Sequence, residues 1–137
     1  MSDSYEAVCN DRFNLVRITP KYYDFVRNLR MNPKVTSSFR EEANITEEDQ
    51  KEYMKKHGKN YYVCLLQNVP IGYVGVVDDD IRMCVDPAFF GLGAGSFMFS
   101  FLKTNYPSCM TQLQYIKKHN TTSQHLLTKF GIPYTLI

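Results

Sequence analysis

The chain has 137 residues, of which 44% are hydrophobic and 22% are charged, and its formal net charge is +2. This length and hydrophobic content predict that residues 1–137 form a single globular domain around one core. The small net charge argues against nucleic acid as the main partner, although a locally basic pocket would still suit a small anionic ligand.

No stretch of the sequence is apolar enough to span a bilayer, and the N-terminal segment lacks the basic and apolar pattern of a signal peptide. The four cysteines are far apart and form no Cys-x-x-Cys pair, so the sequence shows no zinc-site spacing. We therefore expect a soluble cytoplasmic protein without a metal, whose cysteines are reduced and mostly buried.

The predicted elements follow one another without a linker or an internal repeat. Thr46 and Asp49 have the spacing of a capping arrangement at a helix start, and Gly131 is placed to end the last helix. This order of elements predicts an α/β fold in which helices cover the faces of a mixed central β-sheet. In chain order the elements are strand 13–18, helix 20–30, helix 47–57, strands 61–67, 71–77 and 80–85, helix 94–104, strand 110–116, helix 120–130 and strand 132–137.

Residues 85–103, with the sequence VDPAFFGLGAGSFMFSFLK, place three glycines between a strand and a helix. The first N–H groups of a helix have no partner within the helix and lie at the positive end of its dipole. Because glycine lets the backbone approach a ligand closely, such a turn suits a phosphate group. The pattern is neither a Walker A motif nor a convincing dinucleotide fingerprint, and by itself it also fits a tightly packed turn.

The segment IRMCVDPAFFGLGAG, followed by HNTTSQHLLTKFGI, resembles the two signature blocks of the GNAT superfamily of N-acetyltransferases. In that family a strand ending in V-x-P leads to a turn of the form R/Q-x-x-G-x-G/A, and the second block has the form N-x-x-S/A-x-x-L-Y-x-K-x-G-F. The resemblance covers most of the chain from Phe13 onward. The residues that match the second block are Asn120, Ser123, Leu126, Lys129 and Gly131.

The resemblance implies the GNAT fold, with about four helices around the sheet, and acetyl-CoA-dependent N-acetyltransferase activity. The amides of the glycine turn would bind the pyrophosphate of acetyl-CoA, and the preceding strand would receive the acetyl and pantetheine arm like an added strand. Asn120 would hydrogen-bond the pantetheine arm or nearby backbone. Lys129, with Lys117 and Lys118 as alternatives, would meet the 3′-phosphate side. The implied cofactor-binding residues are Met83, Cys84, Val85, Gly91, Leu92, Gly93, Ala94, Gly95, Ser96, Asn120 and Lys129.

Three departures from the family pattern limit what the resemblance implies. Phe90 stands where the family has Arg or Gln, which predicts weakened phosphate binding. Leu127 replaces the tyrosine that protonates the departing thiolate, and leucine cannot donate a proton. After Gly131 one predicted strand remains where the family has two, so the C-terminal hairpin is predicted to be shortened. A homodimer, a further domain or a longer chain would then complete the sheet.

Acetyl transfer requires a neutral amine, a donor that polarises the thioester carbonyl and a route for the proton of the amine. The backbone N–H near Val85 is the predicted polarising group. Asp79, at the start of the strand before the glycine turn, and His119, at a strand end, are the two predicted bases. An acid is dispensable if the thiol of coenzyme A, with a pKa of about 8.5, leaves as a thiolate. The candidates for the acid are Tyr134, Ser123 and Tyr115.

The acceptor site is predicted in the two helices after the first strand, where four basic residues follow one another without an intervening acid. The runs LRMNPKV and ITEEDQKEYM resemble the branch of the family that contains ribosomal-protein and sugar-nucleotide N-acetyltransferases. Basic side chains suit the diphosphate of a nucleotide-linked amino sugar, which is the predicted acceptor. Its predicted contacts are Arg30, Arg40 and Phe39. The four basic residues are Arg27, Arg30, Lys34 and Arg40.

Other functions stay open on the sequence alone. Six acidic residues between positions 41 and 52 would attract a cationic acceptor, such as a polyamine or the N-terminal or lysine amine of a protein. Acidic residues also favour helix starts, which accounts for much of this acidity. A catalytically silent acyl-CoA-binding module is the alternative from another class, and turnover as opposed to binding alone distinguishes it from an enzyme.

Overall fold

The computed structural model describes residues 7–9, 12–36 and 45–137, so the predicted acceptor contacts Phe39 and Arg40 lie outside the described residues. The strands are β1 Ala7–Cys9, β2 Phe13–Arg17, β3 Tyr61–Leu66, β4 Val69–Val77, β5 Asp80–Val85, β6 Gln114–Ile116 and β7 Tyr134–Leu136. The helices are α1 Tyr23–Met31, α2 Pro33–Thr36, α3 Glu47–His57, α4 Ala94–Asn105 and α5 Thr121–Lys129. Among these described helices, none is both long and apolar enough to cross a membrane.

Strands β1 to β5 form one antiparallel sheet in sequential order, and β6 and β7 form a separate parallel pair. The predicted α/β fold is confirmed, with the antiparallel and parallel pairings divided between two sheets. The sequence does not predict β1, because three residues are too few to show an alternating pattern. Strand β6 is shorter than the prediction because a 3-10 helix occupies Pro107–Thr111.

The antiparallel sheet carries helices on both faces. Strand β3 is therefore buried on both of its sides. Val63 and Leu65 pack in the cluster that includes residues of α1, α2 and α3, whereas Tyr62 and Cys64 pack in the cluster that includes residues of α4 and α5. A strand covered on both faces is expected to be apolar throughout, as this one is. The sheet therefore lies between two layers of helices.

The β3–β4 and β4–β5 hairpins close through two-residue turns in which each residue has a positive φ. Gln67 and Asn68 connect β3 to β4, and Asp78 and Asp79 connect β4 to β5, with φ values between 50° and 67°. Turns of this kind match the twist of the strands, and Asn and Asp tolerate them better than most residues do. Asp79 therefore belongs to a turn, and β5 begins only after it.

The helix boundaries follow the predicted capping residues. Thr46 Oγ1 accepts a hydrogen bond from Asp49 N–H at 3.1 Å, and Asp49 Oδ2 accepts one from Thr46 N–H at 3.3 Å, which confirms the capping arrangement. At the end of α5, Ile132 N–H donates to Leu127 O and Gly131 N–H to Thr128 O. Gly131 has φ +70°, so these bonds form a Schellman motif closed by glycine, also as predicted.

We expect Gly131→Ala to lower the free energy of unfolding by about 1–2 kcal/mol, because alanine resists a left-handed backbone. No atom lies within 4 Å of the place where a Cβ would stand, so the effect would come from the backbone alone. Gly58→Ala is the matched control: Gly58 has φ −59°, and its nearest atoms lie at an ordinary 3.7 Å. Urea denaturation would measure both, and equal effects of the two substitutions would contradict this explanation.

Candidate active site

Strand β5 forms one edge of the antiparallel sheet. Asp86 N–H donates to Ile71 O at 2.8 Å, which continues the β4–β5 register by one pair. In an antiparallel ladder every second pair exchanges hydrogen bonds, so Cys84 is bonded to β4, whereas Met83 and Val85 direct their N–H and C=O groups away from it. The outer edge of β5 thus presents two of the three predicted backbone contacts. The N–H and C=O groups of Cys84 face β4 instead, so among the three predicted residues only Met83 and Val85 have backbone groups at the outer edge.

The side chain of Cys84 is buried on the face of the sheet that carries α1 and α3. Burial raises the pKa of its thiol to about 12; the negative charge of Asp86 adds to this effect and the positive charge of Arg30 opposes it. The thiol therefore stays protonated near neutral pH. A protonated thiol is a weak nucleophile, so Cys84 does not fit the role of an acyl-carrying residue.

The backbone between β5 and α4 is left-handed at Gly91 and Gly93, where φ is 82° and 95°. A side chain at either position would strain the backbone, although no atom lies within 4 Å of a Cβ position there. Gly93 is the N-cap of α4, and Phe97 N–H donates to its carbonyl at 3.0 Å. The N–H groups of residues 94–96 consequently point out of the helix end.

The third glycine of the turn has a different role. Gly95 lies inside α4, and a Cβ at this position would come within 2.8 Å of Leu126 Cδ1. Gly95 therefore allows α4 and α5 to pack closely. Only the first two glycines are needed for the course of the backbone.

Two cationic side chains from distant parts of the chain reach the glycine turn. Lys129, at the end of α5, donates from Nζ to Ser96 Oγ at 3.1 Å, which brings this predicted phosphate ligand to the start of α4. Arg12, just before β2, donates from Nη1 to Leu92 O at 3.0 Å. No local pattern in the sequence marks Arg12 as a residue of the turn, because 80 residues separate it from Leu92.

Asn120 and His119 lie together at the start of α5. Asn120 Oδ1 accepts a hydrogen bond from Ser123 N–H at 3.2 Å, so its carbonyl oxygen caps the helix. His119 is exposed, and its backbone carbonyl accepts a hydrogen bond from Thr121 N–H. The capping bond uses only the oxygen of the Asn120 amide, and its –NH2 group can still serve the predicted bond to a pantetheine arm.

The two positions that bear on the predicted acid differ in burial. Leu127 is 2% exposed and packs in the core with α4. Tyr134 lines an open cavity of about 400 Å³ together with Thr128 and Lys129. Its hydroxyl accepts a hydrogen bond from Thr128 Oγ1 at 3.5 Å. Tyr134 therefore shares a cavity with the lysine that contacts the glycine turn.

Asp79 lies at the opposite end of β5 from the glycine turn. Ser108 Oγ donates to Asp79 Oδ1 at 2.7 Å, which holds the carboxylate at the hairpin tip. Six residues of extended strand separate it from Val85, or about 20 Å at 3.4 Å per residue. The structure thus does not bring this predicted base together with the predicted polarising N–H group. A cavity of about 280 Å³ opens beside the hairpin tip, lined by Asp78, Asp80, Gln112, Leu113 and Tyr115.

The basic residues of α1 differ in their surroundings. Arg27 lies 3.6 Å from Asp24 and 3.7 Å from Glu47, and it donates to Ile45 O at 3.3 Å, so it stabilises the contact between α1 and α3. The positive charge of Arg30 lowers the pKa values of Tyr61, Tyr73 and Cys84, against a larger rise from burial. Of the two basic residues of α1, Arg30 is therefore the one that lies near β5, on the sheet face opposite α4.

We expect the thiol of Cys84 to react with alkylating reagents at a rate that rises about tenfold per pH unit from pH 7 to 9 without levelling off. A group with a pKa of about 12 is still almost fully protonated at pH 9, so its thiolate fraction keeps growing. Mass spectrometry of the labelled peptide would measure the rate. The same peptide in urea is the control, and levelling near pH 8.5 in the native protein would contradict the raised pKa.

Known proteins are similar to this chain in family pattern and in fold. The model of the acetyltransferase (GNAT) family matches residues 23–132. No curated protein sequence shows significant similarity to the chain. The fold is similar to that of a GNAT-family acetyltransferase from Bacillus anthracis, with a TM-score of 0.68 and 19% identity over 91% of this chain and 82% of that one.

Two further solved structures have the same fold. Spermidine N-acetyltransferase from Vibrio cholerae, solved with CoA and spermine, has a TM-score of 0.71 and 17% identity over 89% of this chain and 81% of that one. RimL, a ribosomal-protein α-N-acetyltransferase, has a TM-score of 0.65 and 14% identity over 90% of this chain and 78% of that one. The chain belongs to the GNAT family, whose members are acetyl-CoA-dependent N-acetyltransferases.

Proposed function

We propose that the chain transfers the acetyl group of acetyl-CoA to the amine of a nucleotide-activated amino sugar, such as a UDP-linked 4-amino-4,6-dideoxyhexose. The observation that carries the proposal is the left-handed turn at Gly91 and Gly93, which sets the open end of α4 beside the free edge of β5. A phosphate at the helix end and an extended arm along the strand match the two parts of coenzyme A.

The pyrophosphate binds to the N–H groups at the start of α4. These groups carry partial positive charge. The ammonium group of Lys129, which donates to Ser96, is the proposed partner of the 3′-phosphate. The pantetheine arm then lies along β5, where the backbone of Met83 and Val85 supplies donors and acceptors at the spacing of an added strand. Residues 91–96, Lys129 and the edge of β5 together form the donor site.

The reaction is a direct attack of the amine on the thioester carbonyl. The backbone N–H of Val85 donates to the carbonyl oxygen as negative charge develops on it. The amine loses its proton to a base, for which His119 and Asp79 remain the candidates, and coenzyme A leaves as a thiolate or is protonated by Tyr134. The position of Asp79 favours His119 between the two bases, because about 20 Å of strand separates Asp79 from Val85.

Arg30 supports a nucleotide-linked acceptor. Its positive charge acts on Tyr73 and Cys84, the paired residues of β4 and β5, so a diphosphate on Arg30 would lie close to the donor strand. Arg27 forms ion pairs with Asp24 and Glu47. The acceptor therefore has fewer basic side chains to contact than the sequence predicts.

A cationic acceptor such as a polyamine is the second candidate. The cavity at the hairpin tip is lined by Asp78 and Asp80, and the aromatic ring of Tyr115 borders it. Carboxylates beside an aromatic ring suit an ammonium group. Asp80 lies 2.9 Å from Arg82, which reduces the negative charge of this cavity and favours the amino-sugar proposal.

We expect Gly93→Glu to weaken acetyl-CoA binding by at least 100-fold, because a carboxylate would enter the phosphate site and the left-handed backbone would be strained. Gly131→Glu is the matched control, since Gly131 is also left-handed and open but lies outside the turn. Isothermal titration calorimetry on the folded variants would measure both affinities. Unchanged affinity in Gly93→Glu would refute the donor site.

We expect mass spectrometry to detect an acetylated product when the protein and acetyl-CoA are given UDP- and dTDP-linked amino sugars, and not with spermidine or N-terminal peptides. Arg30→Ala should then raise the KM for the nucleotide-linked acceptor at least tenfold, because its diphosphate loses a charged partner. Lys55→Ala, on an exposed part of α3, is the control.

The other outcomes of this experiment identify the alternatives. Acetylated spermidine, with a KM raised by Asp78→Asn and not by Arg30→Ala, would replace the proposed acceptor with a polyamine. Binding of acetyl-CoA without acetylation of any acceptor would favour the silent acyl-CoA-binding module.

A further inference from the structure

The glycine turn itself supplies no positive charge. Residues 86–96 contain no lysine or arginine, and Phe90, where the family has Arg or Gln, is 53% exposed. A pyrophosphate carries two negative charges, and the amides of one helix end compensate only part of this charge. The missing cation therefore has to come from another part of the fold.

Arg12 is held at the turn by contacts of its guanidinium group with Leu92 and with Phe13. Its Nη1 donates to Leu92 O at 3.0 Å, and the group lies 5.5 Å from the centre of the Phe13 ring. Phe13 in turn packs against Phe97, in the first turn of α4, with 5.5 Å between the ring centres. The packing of β2 against α4 thus fixes a cation beside the open helix end.

We propose that Arg12 binds the pyrophosphate of acetyl-CoA in place of the side chain that Phe90 cannot provide. This inference rests on the proposed donor site. A guanidinium group is a planar cation with five N–H donors, and its geometry suits the oxygens of a pyrophosphate. The hydrogen bond from Arg12 keeps the carbonyl dipole of Leu92 directed at a positive group, which lowers its repulsion toward an anion in the turn.

Arg12 and Lys129 approach the turn at different residues and divide the anionic groups of the ligand between them. Arg12 contacts the turn before α4, at Leu92, whereas Lys129 contacts Ser96 within the first helical turn. We assign the pyrophosphate to Arg12 and the 3′-phosphate to Lys129. Dephospho-CoA, which lacks the 3′-phosphate, separates the two assignments.

Arg12→Ala should weaken the binding of CoA and of dephospho-CoA alike, by about 10- to 100-fold, as expected for a lost charge-assisted hydrogen bond. Arg12→Gln retains a donor for Leu92 O without the charge and should behave like Arg12→Ala, whereas Arg12→Lys should recover part of the affinity. Lys129→Ala should weaken CoA more than dephospho-CoA. Lys103→Ala, near the other end of α4, is the control and should change neither affinity.

Turnover with acetyl-pantetheine, which has no phosphate group, distinguishes a phosphate contact from a purely structural role. Arg12→Ala should leave kcat/KM for this donor unchanged and lower kcat/KM for acetyl-CoA. An equal loss with both donors would mean that Arg12 only orders the turn, and it would overturn the inference. Unchanged CoA affinity in a folded Arg12→Ala variant would overturn it as well. If the wild-type protein does not bind CoA, the proposed function itself fails.

Discussion

The left-handed backbone at Gly91 and Gly93 is the constraint on which the arrangement of the site depends. The chain leaves β5 at the sheet edge and must turn back so that α4 can cover the sheet face. Met98 and Leu102 are fully buried on that face. On the neighbouring strand β4, the absence of a side chain at Gly72 allows β5 to approach closely, since a Cβ there would lie 2.7 Å from Cys84 O. The same turn leaves the N–H groups of α4 next to the edge of β5, so packing and ligand geometry are set together.

Tertiary structure supplies the charge that the turn lacks. The amides of α4 are a local consequence of the glycines, but Lys129 comes from the end of α5 and Arg12 from the residue before β2. Each cation is anchored by one hydrogen bond to the turn and is backed by packed side chains of the core. The anion site is therefore completed only when β2, α4 and α5 have come together, and coenzyme A binding should report on the folding of all three.

The sequence predicts the elements whose boundaries have a local chemical cause. The capping pair of Thr46 and Asp49 and the glycine at 131 mark helix ends by their own hydrogen bonds, and the two-sided apolar run of β3 indicates a buried strand. The glycine turn is likewise predictable, because Gly91 and Gly93 have few other uses at a strand-to-helix junction.

Features that depend on pairing or on distant contacts are not predictable in this way. The different orientations of Met83 and Cys84 follow from the hydrogen-bonding register with β4, which the sequence of β5 does not contain. The sequence indicates Arg27 as one of the basic residues for the acceptor, but it does not show that Arg27 lies beside Asp24 and Glu47 in the fold. The sequence also does not show that the missing side chain of Gly95 allows α4 to pack closely against Leu126 of α5.

The two proton transfers of the proposed reaction bear on which acceptor amine the site suits. With Leu127 buried in the core in place of the family tyrosine, the departing thiol relies on its own acidity, and a pKa of about 8.5 makes that a small burden near neutral pH. Removing the proton from the acceptor amine costs more free energy. A lysine-like amine has a pKa of about 10.4, which is about 3.4 units above pH 7. Removing its proton at that pH therefore costs about 4.6 kcal/mol. The carboxylate of Asp79 is held at the far hairpin tip, which leaves His119 as the proposed base. A less basic amine, such as one on a sugar with electron-withdrawing oxygens, would place a smaller demand on that base.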